Sequence, residues 1–326
     1  MKLLITGGCG FIGSNAVNYF QRAGYDVVGI VDNMTYAANA NNLLFPVTIY
    51  KQDIAITNWA ALLAFTGADV IINFAAESHV DNSIANGAPF IKTNDAAVHT
   101  MLQGLVDYHK ASSKKVLLLQ ISTDEVLGSL EDTDAPWSEN AKLNPGNVYA
   151  SSKAAAELLI QSMHNVHKDS FDYVIARATN NYGPNQHFEK FVPMIIKNAL
   201  QDQPIPVYGD GLQTREWLWV LDFINGLDLI IRTYGTQSAR VANQIFHFGS
   251  SFAVKNIGLI KFILNKLQKP DTLIQLVPDR LGHDKRYSLN YFKSGSILGW
   301  APKQDLGKGI DFVIENIKSH IGPSKN

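Results

Sequence analysis

The stretch Thr6-Gly7-Gly8-Cys9-Gly10-Phe11-Ile12-Gly13 follows a short apolar run at the start of the chain and decides the fold. It satisfies both the G-x-G-x-x-G pattern, at Gly8, Gly10 and Gly13, and the related T-G-x-x-G-x-x-G pattern. Glycines here permit a tight turn, close approach of a pyrophosphate to the backbone, and close packing of helix on strand. A helix beginning near Phe11 would offer free N–H groups and its positive dipole end to phosphates. The stretch therefore predicts a dinucleotide-binding turn.

An acidic residue, Asp32, stands nineteen residues after Gly13 and ends the next apolar run. This position suits a carboxylate that hydrogen-bonds a ribose 2′-hydroxyl, which favours NAD over NADP. Cys9, inside the turn, is interpreted as a small packing residue.

Short apolar runs alternate with helix-patterned segments over the first 180 residues. The runs are rich in Val, Ile and Leu, as in strands buried on both faces of a parallel sheet. They are Lys2–Thr6, Asp26–Val31, Thr48–Gln52, Val70–Phe74, Lys115–Ser122 and Tyr173–Arg177. The segments with helical spacing include Ile12–Arg22, Trp59–Phe65, Ala96–Lys110 and Ser152–Val166. This alternation predicts an α/β fold with a doubly wound parallel Rossmann sheet.

The pattern changes after about residue 180, where prolines divide the chain into shorter, mixed pieces. We expect residues 1–180 to form a dinucleotide-binding domain. Residues 181–326 are expected to form mainly a smaller mixed α/β lobe that binds the substrate, with some segments returning to the first domain.

The composition excludes several classes of protein. The 326 residues include 28 Lys and Arg against 29 Asp and Glu, a net charge of −1. This balance argues against a nucleic-acid or anionic-membrane binder. One cysteine excludes an internal disulfide framework and an all-cysteine metal site, and we expect no metal. No apolar stretch approaches the ~20 residues of a membrane span, and no signal peptide is evident, so a cytoplasmic location is expected.

Two further motifs carry acid–base chemistry. Tyr149 and Lys153 are four residues apart, so on a helix they share a face, and the ammonium would lower the pKa of the phenol. Ser122-Thr123-Asp124-Glu125 closes a predicted strand, and polar groups beyond the carboxyl ends of parallel strands face the ligand crevice. Adjacent carboxyl groups in different environments can divide acid from base duties.

These motifs resemble the extended short-chain dehydrogenase/reductase superfamily and, within it, the nucleotide-sugar 4,6-dehydratases. The resemblance extends from the first strand to about residue 290. It is carried further by Ala75–Asp81, Arg177–Pro184, Glu189–Pro193, Tyr208–Gly211, Arg215–Trp217 and Pro278–Asp284. The acid in the middle of the Thr-Asp-Glu triplet discriminates most, because related epimerases and decarboxylases usually lack it.

The resemblance implies a role for each catalytic residue. Tyr149 would remove the proton of the sugar 4-hydroxyl while hydride leaves C4 for NAD⁺; Lys153 would hold the nicotinamide ribose, and Thr123 the reacting hydroxyl. Glu125 would take the C5 proton, and Asp124 would protonate the departing 6-hydroxyl. Hydride then returns to C6, which leaves a 4-keto-6-deoxy sugar and regenerated NAD⁺.

The resemblance also implies residues that bind NAD and residues that bind a nucleotide-diphospho-sugar. The NAD set is Gly7, Gly10, Phe11, Ile12, Gly13, Asp32, Asn33, Thr35, Asp53, Ile54, Ala75, Ala76, Thr93, Tyr149 and Lys153. The substrate set is His79, Thr123, Asn180, Lys190, Tyr208, Arg215, Arg280 and His283.

Several alternatives stay open at this point. dTDP-glucose is the first candidate substrate, but Asn82, Leu127 and Phe252 depart from the family pattern and leave UDP or another nucleotide open. A 4-epimerase or decarboxylase would share Tyr149, Lys153 and NAD without needing Asp124 as an acid. A non-catalytic dinucleotide sensor would not need Tyr149 or Lys153. Relatives of this type dimerise through two long helices, here Ala96–Lys110 and Ser152–Val166, so a homodimer is expected.

Overall fold

The computed structural model describes residues 1–250 and 252–321. Its strands are β1 (Lys2–Thr6), β2 (Asp26–Asp32), β3 (Ile49–Lys51), β4 (Val70–Asn73), β5 (Val116–Thr123), β6 (Phe171–Ala178), β7 (Asn180–Tyr182), β8 (Ile205–Tyr208), β9 (Thr214–Trp219), β10 (Gln244–Phe248), β11 (Ala253–Lys255) and β12 (Ile274–Val277).

The helices of the described residues are α1 (Phe11–Arg22), α2 (Trp59–Thr66), α3 (Val80–Ala85), α4 (Ala88–Phe90), α5 (Ala97–Ser112), α6 (Val148–Val166), α7 (Phe191–Leu200), α8 (Val220–Gln237), α9 (Asn256–Leu267), α10 (Phe292–Leu298) and α11 (Leu306–Ile321). A π-helical segment, Ile91–Ala96, joins α4 to α5. No helix in this part of the chain combines the length and apolarity needed to cross a membrane.

The large sheet has seven parallel strands in the order β10-β6-β5-β4-β1-β2-β3. Its central strands are apolar at nearly every position because both faces are covered, and Val116–Thr123 is buried throughout. The predicted doubly wound parallel sheet is confirmed. The strand order reverses between β1 and β4, where sheets of this type open a crevice for ligands.

Each face of the large sheet has its own apolar core. On one face α1 and α8 pack together around Phe20, Leu227 and Phe246. On the other face α2, α5 and α6 enclose Trp59 and Met101. These two cores fix α1 and α6, which carry the motifs, against opposite faces of the large sheet.

The remaining elements form a smaller lobe with a third apolar core. Strands β11, β9 and β7 form a three-stranded sheet, and β12 pairs with β8. Helices α7, α9 and α11 contribute Ile195, Ile263 and Ile310 to this core. Strand β10 follows much of this lobe in sequence yet pairs with β6 at the edge of the large sheet, where the Phe248 ring packs against Phe223 of α8.

Candidate active site

A cavity of about 350 Å³ opens at the carboxyl ends of the large sheet. Its lining contains all the residues predicted for catalysis and for NAD, together with three of those predicted for the substrate, of which Thr123 is also in the catalytic set. The catalytic and NAD residues are Gly7, Gly10, Phe11, Ile12, Gly13, Asp32, Asn33, Thr35, Asp53, Ile54, Ala75, Ala76, Thr93, Thr123, Asp124, Glu125, Tyr149 and Lys153; the substrate residues are Thr123, Asn180 and Lys190. Residues as far apart in sequence as Gly7 and Lys190, 183 positions, therefore share one cavity.

The glycine turn has no room for side chains at Gly7 and Gly13. Gly7 has φ +62°, and a Cβ there would lie 2.7 Å from the Ala75 nitrogen. A Cβ on Gly13 would lie 2.1 Å from the Gly7 oxygen. The backbone thus stays bare at the start of α1, where a helix N-terminus favours phosphate, and the turn fits the pyrophosphate of a dinucleotide.

Asp32 joins the glycine turn to the end of β2. Its Oδ2 accepts a hydrogen bond from the Cys9 amide at 2.9 Å, and its Oδ1 accepts one from the Met34 amide at 2.8 Å. Each carboxylate oxygen has a second lone pair, so Asp32 can also accept ribose hydroxyls. The Cys9 thiol beside it is buried, and burial and then Asp32 raise its pKa to about 11, which leaves it un-ionised at neutral pH.

The Thr-Asp-Glu triplet sits where β5 ends. Thr123 Oγ1 donates to Asp124 Oδ1 at 3.1 Å and accepts from the Glu125 amide at 3.3 Å. Asp124 is 3% exposed, and its Oδ2 has no hydrogen-bond partner among the described residues. One oxygen of a buried carboxyl group is therefore free to act on a ligand.

The two carboxyl groups of the triplet have different environments. Burial, followed by the charge of Glu125, raises the pKa of Asp124 well above its ordinary value. Burial also raises the pKa of Glu125, but a hydrogen bond from Asn147 and the charge of Arg215 act against this rise. The pKa of both carboxyl groups is raised, that of Asp124 well above its ordinary value, and their environments differ in the way that lets one pair divide acid and base roles.

Tyr149 and Lys153 lie on α6 as predicted, but their electrostatics differ from the prediction. The Lys153 ammonium donates a 2.6 Å hydrogen bond to the Ile121 carbonyl oxygen. Burial, and then the charges of Glu125 and Asp124, raise the pKa of Tyr149, so the predicted lowering of that pKa is wrong. Burial lowers the pKa of Lys153 to about 8, so this side chain stays mostly protonated at neutral pH.

Five residues predicted for the substrate, His79, Tyr208, Arg215, Arg280 and His283, do not line this cavity. Three of them form one cluster: the Arg280 guanidinium lies 5.0 Å from the centre of the Tyr208 ring, and that ring meets His283 edge-on. Asp81 accepts a hydrogen bond from the Tyr208 hydroxyl at 3.0 Å and pairs with Arg280 Nε at 2.6 Å. The His79 ring lies 4.0 Å from the Glu189 carboxylate.

Arg215 connects this cluster with the catalytic triplet. Its guanidinium donates to the Asp284 carbonyl oxygen at 2.9 Å and stacks 4.4 Å from the centre of the Tyr287 ring. Its charge also lowers the pKa of Asp124 and Glu125 against the effect of burial. Planar guanidinium groups can hydrogen-bond phosphate oxygens in pairs, so the side chains of Arg215 and Arg280 are chemically suited to a diphosphate.

Sequence reasoning missed a contact across the mouth of the cavity. The Tyr36 hydroxyl, in the loop after β2, donates to Glu189 Oε1 at 2.9 Å, and the Tyr36 ring meets His187 edge-on. All three residues line the cavity. Glu189 and Tyr36 are 153 positions apart, and no local pattern marks such a pair. No cluster of three or more His, Cys, Asp or Glu side chains suited to a metal occurs in the described residues.

Comparison with known proteins places this site in a family. A family model described as GDP-mannose 4,6 dehydratase matches residues 4–312. The chain belongs to this family. Among curated members, it is 36% identical over 320 residues to the low-salt glycan biosynthesis protein Agl12 of Haloferax volcanii, covering 97% of this chain and 98% of that protein. It is also 36% identical to dTDP-glucose 4,6-dehydratase of Streptomyces antibioticus, covering 97% of this chain and 92% of the relative.

A solved structure agrees with this assignment over nearly the whole chain. DesIV of Streptomyces venezuelae, a dTDP-glucose 4,6-dehydratase crystallised with NAD and TYD bound, superposes with a TM-score of 0.89 at 36% identity. The match covers 98% of this chain and 97% of DesIV. The family resemblance inferred from the motifs is therefore confirmed.

Proposed function

We propose that the protein is a nucleotide-diphospho-glucose 4,6-dehydratase that uses NAD and converts dTDP-glucose into dTDP-4-keto-6-deoxyglucose. The observation that carries the proposal is the unequal pair after β5. Asp124 is buried with one free oxygen and a strongly raised pKa, while Glu125 is stabilised as a carboxylate by Asn147. Elimination of water across C5 and C6 needs both an acid for the leaving hydroxyl and a base for the C5 proton.

Tyr149, Thr123 and Lys153 are the residues proposed for the oxidation at C4. Thr123 holds the reacting hydroxyl and hydrogen-bonds Tyr149, which acts against the rise in the phenol pKa caused by burial. Tyr149 takes the hydroxyl proton. Lys153, protonated at neutral pH and one turn further along α6, supplies the positive charge that a phenolate requires.

Glu125 and Asp124 are proposed for the elimination. The C4 ketone acidifies the C5 proton, and the Glu125 carboxylate removes it. Asp124, with its proton on the unpartnered oxygen, protonates the departing 6-hydroxyl, which leaves as water. Glu125, now protonated, returns its proton to C5 when hydride is returned to C6, and Asp124 regains a proton from solvent before the next turnover.

NAD fits the residues at the other end of the cavity. The glycine turn and the start of α1 would hold its pyrophosphate, Asp32 a ribose, and Lys153 the nicotinamide ribose. When bound, NAD supplies reversible redox chemistry, taking electrons from C4 and returning them at C6. The enzyme then needs no external reductant.

We assign the nucleotide end of the substrate mainly to residues 181–326, with residues 1–180 holding NAD. Support comes from the contacts between Arg280 and Tyr208 and between Arg215 and Tyr287, which pair cations with aromatic rings beside the catalytic triplet. Such surfaces suit a base and a diphosphate. His79, Asn180, Lys190 and His283 complete the proposed substrate set.

The proposal is tested by incubating the purified protein with dTDP-glucose, UDP-glucose and their N-acetyl analogues and following the products by NMR. We expect a 4-keto-6-deoxy product from dTDP-glucose. Absence of such a product from every sugar nucleotide would overturn the proposal. Epimerised or decarboxylated products would identify the alternative chemistry, which does not need Asp124 as an acid.

We further propose that the protein is a homodimer joined through α5 and α6. Support comes from the packing of these two long helices beside each other, and from Leu158 and Val166 of α6, which are 56% and 75% exposed. Apolar side chains grouped on a helix surface favour association. Light scattering at micromolar concentration tests the proposal, and a monomeric mass would contradict it.

We also propose a cytoplasmic location, which is consistent with a lone, buried cysteine. Fractionation of cells that express the chain tests this proposal, and recovery with membranes would contradict it.

A further inference from the structure

A buried carboxylate that the proposed reaction does not use lies one helical turn beyond Lys153. Glu157 of α6 has no exposed surface. It accepts a hydrogen bond from Ser122 Oγ at 2.5 Å and two from Arg177, from Nε at 3.1 Å and from Nη2 at 2.6 Å. A charge this deeply buried is costly unless it is paired and fully hydrogen-bonded, and Glu157 meets both conditions.

The partner charge is equally enclosed. Arg177 of β6 is 2% exposed, and its Nη1 lies 3.3 Å from His247 Nε2. The other ring nitrogen of His247 faces the Trp137 carbonyl oxygen and must donate to it, so Nε2 accepts from Arg177. Burial and then Arg177 lower the pKa of His247 to about 3, so the ring is neutral and Glu157 carries the balancing charge.

The position of Glu157 joins three elements of the site. Helix α6 carries Tyr149 and Lys153 at its start. Ser122 of β5 immediately precedes the Thr-Asp-Glu triplet, and Arg177 of β6 pairs with Ser122 in register. The Glu157 carboxylate thus joins α6, which carries Tyr149, to β5, which leads into Asp124.

We propose that Glu157 is a positioning residue for this reaction, which orients α6 against β5 and keeps a negative charge beside the Lys153 ammonium. This inference rests on the proposed function.

The charge of Glu157 acts directly on Lys153. Burial lowers the pKa of Lys153 to about 8, and Glu157 raises it against that effect. Charged or titratable groups also occur on the elements packed against α6: Asp81 on α3, Lys92 and Asp95 on Ile91–Ala96, His99 on α5, Arg177 on β6, and Asp124 and Glu125 after β5. Without the Glu157 charge, Lys153 loses its proton at a lower pH.

The first test is Glu157→Gln in the holoenzyme, with Glu157→Asp as the variant that keeps the charge. With dTDP-glucose we expect Glu157→Gln to move the alkaline limb of the kcat profile down by about one pH unit. At the wild-type midpoint, kcat falls several-fold while KM for dTDP-glucose stays unchanged. Glu157→Asp restores the wild-type limb. A Glu157→Gln enzyme with the wild-type pH profile would overturn the inference.

A second variant covers the case in which Glu157→Gln does not fold because Arg177 is left unpaired. Glu157→Gln with Arg177→Met removes both buried charges, and such pairs are often replaced without loss of stability. We expect its alkaline limb to be shifted like that of the single variant, because Lys153 still lacks its carboxylate neighbour. If the alkaline limb of the double variant matched that of the wild type, Glu157 would serve only as a structural partner of Arg177, and the inference would be overturned.

A third measurement separates failure of this inference from failure of the proposed function. Calorimetry of NAD binding to the apoprotein at several pH values reports the charge of Lys153 without any sugar. We expect the alkaline loss of NAD affinity to begin at lower pH in Glu157→Gln. If the wild type makes no product but this shift occurs, the proposed function fails, while the effect of the Glu157 charge on Lys153 is retained. If the wild type is active but the two binding profiles are identical, the proposed function holds and the inference about Glu157 is overturned.

Discussion

The side chain of Asn147 joins the start of α6 to the carboxylate of Glu125. Its Oδ1 accepts a hydrogen bond from the Ala150 amide at 2.9 Å and caps the helix, while its Nδ2 donates to Glu125 Oε2 at 3.2 Å. One amide therefore satisfies a free helix amide and stabilises the ionised form of the proposed base.

Replacement of Asn147 separates these two effects. Asn147→Ala is expected to lower the free energy of unfolding by about 1 kcal/mol, because the cap is lost. It also raises the pKa of Glu125, so the acid limb of kcat moves to higher pH. Asn147→Asp keeps the cap and the stability, yet also moves this limb upward, because it adds a negative charge. Urea unfolding and kcat profiles measure both effects; equal stability losses in the two variants would contradict the cap.

Asp124→Asn is expected to stop dehydration without stopping the oxidation at C4. The amide cannot donate the proton that the 6-hydroxyl needs, so formation of the 4-keto-6-deoxy sugar falls by roughly 10²-fold or more. Absorbance of reduced nicotinamide should still appear on mixing with dTDP-glucose. The exposed Asp26→Asn serves as a control with wild-type rates. Unimpaired product formation by Asp124→Asn would rule out its role as the acid.

Gly13→Ala is expected to disrupt the cofactor turn. The new Cβ would lie 2.1 Å from the Gly7 oxygen, a backbone atom that cannot move without opening the turn. We expect a loss of about 2–3 kcal/mol in unfolding free energy. Gly10→Ala is the matched control, since its Cβ would meet nothing closer than 3.4 Å and the loss should stay under about 1 kcal/mol. Similar melting temperatures for the two variants would contradict this account.

Glu216 of β9 is expected to make stability depend on pH. It is 4% exposed, accepts hydrogen bonds from Ser288 Oγ and the Ser250 amide, and burial raises its pKa to about 7. A carboxyl pKa raised in the folded state favours folding in acid, and this contribution is lost as the pH rises through about 7. Glu216→Gln replaces the carboxyl group with an amide that cannot ionise, so the variant lacks this contribution to the pH dependence of stability.

The test is denaturant unfolding of both proteins at a series of pH values from about 4 to about 8. Relative to the wild type, Glu216→Gln should gain roughly 3 kcal/mol of unfolding free energy between about pH 4 and about pH 8, because the wild type loses stability over the interval between the unfolded and folded pKa values of this carboxyl group. A constant difference between the two proteins across this range would show that Glu216 does not titrate with a raised pKa.

The sequence predicts the central sheet well because its strands are buried on both faces. The predicted run Val70–Phe74 differs from β4 by one residue, and Tyr173–Arg177 lies inside β6. Such uninterrupted apolar runs are visible in any short window. Helix α6 was predicted to start at Ser152, four residues late, although Asn147 is the kind of residue that caps a helix.

Two features of the site and fold had no local signal. The strands of the smaller lobe have only three to six residues, and β8 alternates buried and exposed positions, so neither length nor apolarity identifies them. The pairs of Tyr36 with Glu189 and of Asp81 with Arg280 bring together segments 153 and 199 residues apart. Contacts of this range follow from the three-dimensional arrangement and not from spacing along the chain.

The return of β10 to the large sheet sets an order of events during synthesis. Until Phe248 has left the ribosome, β6 has an open edge at Val174–Ala178, and the aromatic contact between Phe223 and Phe248 cannot form. An unpaired edge of this kind invites association with other chains. Residues 1–180 therefore cannot complete the large sheet while they are the only part of the chain that has been synthesised. The sheet is complete only after β10 has been made.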